Sequence, residues 1–127
     1  MPESRSIDVK YMLMIYHNTD VWDALTQSEK ETVWSEGAQC WQDLVASGEG
    51  IMGEPLGEPA DARIVRVPNG TPIITDGPFA ETKEQFVGFM LVDVASEERA
   101  LEIASIHPES KYSPIVVRRV NVSNAKE

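Results

Sequence analysis

The chain has 127 residues, 42% of them hydrophobic and 25% charged, which suits one soluble domain over residues 1–127 with a core of its own. A formal net charge of -10, with no basic stripe to offset it, argues against direct nucleic-acid binding. The lone cysteine, Cys40, excludes an intramolecular disulfide and a cysteine-based metal cluster.

Residues 1–8 are polar. Val9 to His17 reads as a strand with two apolar faces: Val9, Tyr11, Leu13 and Ile15 on one, Met12, Met14 and Tyr16 on the other. Its apolar run is too short to span a membrane and lacks the flanks of a secretory leader, so a cytoplasmic location without membrane contact is expected. Asn18 to Leu25 reads as a loop in which Trp22 needs an apolar seat. Thr26-Gln27-Ser28-Glu29 is a capping-box pattern. It predicts a helix whose stripe holds Val33, Trp34, Gly37, Ala38, Trp41, Leu44 and Val45, with Gly48 as its stop. Trp34 and Trp41, seven residues apart on that stripe, read as core, and Cys40 as a buried, inert thiol.

Ile51 to Leu56 is predicted as a short strand, with Gly53 marking a bulge or a close backbone approach. Arg63 to Val67 and Thr71 to Thr75 flank Pro68-Asn69-Gly70, a hairpin signal, and the two prolines place that hairpin at an edge or off the sheet. Phe86 to Val94 is a second strand apolar on both faces, with Phe86, Gly88, Met90, Val92 and Val94 read as one side. Ser96 caps a second helix that Pro108 halts near His107, and Ile115 to Val120 is the last strand. The order β-α-β-(hairpin)-β-α-β predicts a ferredoxin-like α+β fold. Two helices cover one face of the sheet. The second apolar face therefore predicts a homodimer with sheets packed face to face.

Ile73-Ile74-Thr75-Asp76-Gly77-Pro78-Phe79-Ala80-Glu81-Thr82-Lys83-Glu84-Gln85 resembles the signature of the DGPF family, within the YCII-related superfamily. Lys10 to Tyr16, Gly88 to Val94 and Val117-Arg118 extend the resemblance over about residues 9–120. The resemblance implies a dimeric α+β barrel. It leaves two functional readings open: a small cofactor-independent enzyme or small-molecule-binding protein, or a non-catalytic regulatory module associated with sigma factors. The histidine and aspartate that share a pocket in the YCII branch do not carry over. The first helix here has no histidine, and the segment before the last strand reads Ile106-His107-Pro108.

Asp76, between a strand end and a Gly-Pro turn, suits a general base or a ligand anchor, and equally a turn-stabilising side chain. His17, at the end of the first strand, is the second candidate for proton chemistry. Tyr16, Glu81, Lys83 and Arg118 are candidate ligand contacts, the charged ones doubling as solvated surface. His107 closes the second helix, where a cation suits the helix dipole. Two histidines without metal-motif spacing point to no metal, and no phosphate loop or nucleophile elbow is present.

Overall fold

The computed structural model describes residues 9–78 and 83–120. Its elements run β1 (Val9–Asn18), α1 (Thr19–Asp23), α2 (Gln27–Ser47), β2 (Gly50–Pro55), β3 (Arg63–Arg66), β4 (Ile73–Asp76), β5 (Glu84–Val94), α3 (Glu97–Ile106) and β6 (Ile115–Arg119). Four strands form an antiparallel sheet in the order β2-β5-β1-β6. This is the ferredoxin-like arrangement: each helix connects two strands that lie apart, with a third strand between them. Strands β3 and β4 pair only with each other, as a hairpin off the main sheet. Gly70 takes φ +83° in its turn.

Local chemistry sets the helix ends. Thr26 accepts a hydrogen bond from the Glu29 amide at 3.0 Å, and Glu29 Oε1 accepts from the Thr26 amide at 2.7 Å. At the other end Gly48 adopts φ 86°, which closes α2 with the left-handed residue that favours glycine. Ser96 accepts from the Arg99 amide and caps α3. The expected loop at 18–25 instead holds the short helix α1, because Asn18 Oδ1 accepts from the amides of Asp20 and Val21.

The core lies between the helices and one face of the sheet. Tyr11 and Leu13 of β1 and Met90, Val92 and Val94 of β5 meet Leu44 of α2 and Ala100, Ile103 and Ala104 of α3. Leu13 and Ile103 are fully buried, each worth about 1.5–3 kcal/mol of transfer free energy. Arg99 ties α3 to the start of β2: its Nε and Nη2 donate to the two carboxylate oxygens of Glu49 at 2.8 and 2.9 Å. Gly53 passes so close to β5 that a Cβ there would sit 3.0 Å from the Phe89 carbonyl oxygen. Met12, Met14 and Tyr16 occupy the opposite face of β1 and are half-buried.

A β-bulge reshapes the end of the sheet beside His17. The β1–β5 register runs Ile15 to Gly88 and then Tyr16 to Phe86, so Val87 is an extra residue on β5. Beyond it the strand's alternation is reversed. Phe86 therefore leaves the face of Met90, where strict alternation puts it, and packs its ring against Tyr16 at 5.5 Å. Gln85 turns to the helix side instead, opposite His17. No helix among the described residues is long and apolar enough to cross a membrane.

Candidate functional site

Between α2, the end of β1 and the β2 side of the sheet lies a cavity of about 840 Å³. Its helical wall is the stripe read from the sequence: Val33, Trp34, Gly37, Ala38 and Trp41. Trp34 is 52% exposed and borders the open space, whereas Trp41 is partly buried and packs against the core as well as lining the cavity. Helical periodicity correctly marks the face turned toward the sheet. With Trp22 from α1, all three tryptophans of the chain line the cavity.

His17 stands on the cavity side of β1, next to the bulge. Its Nε2 is 2.8 Å from Glu109 Oε1, and the two side chains are 14% and 11% exposed. Trp22 stacks on the His17 ring with centroids 4.0 Å apart and planes at 16°. Trp34 lies tilted against Trp22 at 6.1 Å, and Lys30 Nζ sits 5.6 Å from the Trp22 ring centre. The imidazole is thus held at its edge by a carboxylate and on its face by an indole.

Glu109 reaches this place by way of the helix stop. Pro108 ends α3 and starts a 3-10 turn over residues Pro108–Lys111. The Ser113 amide donates to the Glu109 carbonyl at 3.1 Å, and Ser113 Oγ accepts from the Asn18 amide at 3.0 Å. Those bonds dock the turn onto the end of β1. The Glu109 amide also donates to His107 Nδ1 at 3.1 Å. One residue therefore orients both histidines, His17 through its carboxylate and His107 through its backbone. His107 is 5% exposed, and burial lowers its pKa against the opposing pull of Glu109. A buried, neutral acceptor replaces the helix-end cation expected there.

An ionised Glu109 can only accept, so a neutral His17 carries its proton on Nε2 and keeps its lone pair on Nδ1. When Nδ1 takes a proton, the adjacent carboxylate stabilises the imidazolium. The pair can take up and hold a proton within a walled space. Cys40 lies partly buried beside the core, and burial, with Asp43 second, raises its pKa, as an inert thiol requires. Among the described residues no group of three or more His, Cys, Asp or Glu is placed to hold a metal ion.

Of the five described residues among the six singled out from the sequence, His17 alone lines the cavity. Asp76 lies on the outlying hairpin, with its side chain 89% exposed and Oδ1 3.2 Å from Arg63 Nε. The hairpin stands off the sheet, so Asp76 and a second titratable group do not converge on the cavity. Tyr16 faces the other side of the sheet, against Phe86. Lys83 Nζ donates to Asp20 Oδ2 at 3.0 Å in an exposed ion pair. Arg118 is exposed on β6, opposite Met12. Glu81 lies outside the described residues. Glu109, Trp22, Gln85 and His107 were not recognised as site residues from the sequence. Glu109 is 92 positions from His17, and no motif links them.

The sequence profile of the YCII-related domain matches residues 9–123. An uncharacterised protein of Rhizobium meliloti is 35% identical over 94 residues, which make up 74% of this chain and 76% of that protein. Among solved structures, the fold is similar to that of 5-chloro-2-hydroxyhydroquinone dehydrochlorinase from Burkholderia phenoliruptrix, in complex with 2,5-dihydroxybenzoquinone. The TM-score is 0.50 at 11% identity, over 93% of this chain and 99% of that one.

Proposed function

The chain belongs to the YCII-related domain family, and from that premise we propose that its cavity is a small-molecule site in which His17 and Glu109 handle a proton together. The observation that carries this reading is the 2.8 Å His17–Glu109 bond, largely withdrawn from solvent yet facing a cavity of ligand size. A purely structural histidine does not need an open space beside it. The tryptophans supply flat apolar walls, and the imidazole–carboxylate pair supplies a base that needs no further group to accept a proton. Within the family, the run Asp76-Gly77-Pro78-Phe79 supports our further proposal that the chain belongs to the DGPF branch.

A thermal-shift screen against small carbonyl and phenolic compounds tests the site. A ligand at a hundred times its Kd stabilises the fold by about 2.7 kcal/mol, and Trp34→Ala and His17→Asn should each reduce that shift. A shift that survives both substitutions unchanged would remove the cavity from consideration.

We also propose a homodimer through the sheet face that carries Met12, Met14, Tyr16 and Phe86. The helices of the core pack on the other side, and that apolar face is left to a second copy. Sedimentation velocity at micromolar concentration should give twice the chain mass, and a clean monomer would end this reading.

A further inference from the structure

Gly37 sits in the middle of α2, where glycine is among the costliest residues. Conformation does not call for it, since its φ is not positive. Packing does not call for it either. A Cβ added there would meet His107 Cε1 at 3.6 Å, His107 Nε2 at 3.7 Å and Pro108 Cγ at 4.0 Å, all ordinary contacts. The missing side chain leaves space open beside His107 Nε2, on the wall of the cavity that Gly37 and His107 both line.

That nitrogen has work to do. Its ring partner Nδ1 accepts from the Glu109 amide, so the neutral ring carries its proton on Nε2. The side chain belongs to a residue 95% withdrawn from solvent, and among the described residues nothing accepts from Nε2. A donor in such a place wants an oxygen. The charge of the cavity says which kind. Asp23, Glu54, Glu58 and Glu109 line it, and none of its described lining residues is Lys or Arg. A carboxylate or phosphate would meet that negative charge with no lysine or arginine in the described lining to offset it.

We propose that Gly37 and His107 form an oxygen-binding subsite, in which His107 Nε2–H donates to a neutral carbonyl or hydroxyl oxygen of an aromatic ligand lying against the tryptophans. This deepens the small-molecule reading of the cavity and rests on it. The test titrates the full chain with 2-naphthol, naphthalene and 2-naphthoate, following tryptophan fluorescence. Wild type should bind 2-naphthol about tenfold more tightly than naphthalene, and 2-naphthoate more weakly than 2-naphthol. Gly37→Ala should erase the naphthol preference while raising Tm by roughly 3 °C, so that lost binding is not lost folding. His107→Phe should erase it as well. In wild type, the ¹⁵N resonance of His107 Nε2 should show the attached proton and move with 2-naphthol but not with naphthalene. If none of the three compounds binds, the small-molecule reading itself fails and the subsite with it. Equal binding of 2-naphthol and naphthalene, or a preference that persists in both variants, overturns the subsite and leaves the cavity reading intact. Tighter binding of 2-naphthoate than of 2-naphthol overturns the requirement for a neutral ligand.

Discussion

Replacing both members of the His17–Glu109 pair with leucine should cost little more than replacing either one alone. Each single variant strands one polar group at a site only 14% or 11% exposed. A hydrogen bond to a charged partner is worth about 1.5–3 kcal/mol, and the group left behind loses its partner without regaining bulk water. The expected loss is therefore about 2 kcal/mol for His17→Leu and about the same for Glu109→Leu. The double variant removes both polar groups, so the coupling recovered between the two sites should be about 1.5–2 kcal/mol. For 127 residues at about 2.1 cal/mol/K each, the unfolding entropy is about 0.27 kcal/mol/K, and 2 kcal/mol lowers Tm by about 7 °C. Far-UV circular dichroism melts of the four proteins, with urea midpoints as a second measure, complete the cycle. Coupling under about 0.5 kcal/mol would mean that ring and carboxylate are solvated independently, and the paired proton site would be refuted.

Arg99→Ala should cost about 1 kcal/mol, discounted because the guanidinium is about a third exposed. It should also flatten acid unfolding. Arg99 holds the Glu49 pKa below its ordinary value, so that stability is present above pH about 4.5 and is lost as pH falls through the lowered value. His107 acts in a higher window. Its depressed pKa means the unfolded chain binds the proton first. Stability should fall as pH drops below about 6.5, by at most about 1.4 kcal/mol per pH unit, and His107→Phe should remove that slope in urea titrations. Gly48→Ala should cost about 1 kcal/mol in the same titrations, because φ 86° is strained for a residue with a Cβ. An unchanged midpoint would refute the strain.

Much of the fold is legible in residue order because its causes are local. Thr26 and Glu29 cap a helix from within four residues, Gly48 stops it, and Asn69-Gly70 turns a hairpin. The double-sided apolarity of β1 and β5 places both strands in the middle of the sheet, and the element order then leaves the ferredoxin-like topology. His17 was legible as a strand-end titratable group. The Asp76 run stands out for its irregular chemistry, yet Asp76 itself ends a hairpin strand paired only within that hairpin.

What surrounds His17 was decided by tertiary structure alone. Periodicity shows that Trp34 and Trp41 turn toward the sheet, but not how far away the sheet is. The space left between helix and sheet puts both on the wall of a cavity, with Trp41 also packed against the core. A single extra residue, Val87, reverses the alternation beyond it, turning Gln85 inward and Phe86 outward, and strict alternation does not foresee such a bulge. Glu109 reaches His17 across 92 positions because a proline ends α3 and a 3-10 turn docks on the end of β1. Local propensity specifies each of those elements. Only their packing brings the carboxylate to the ring.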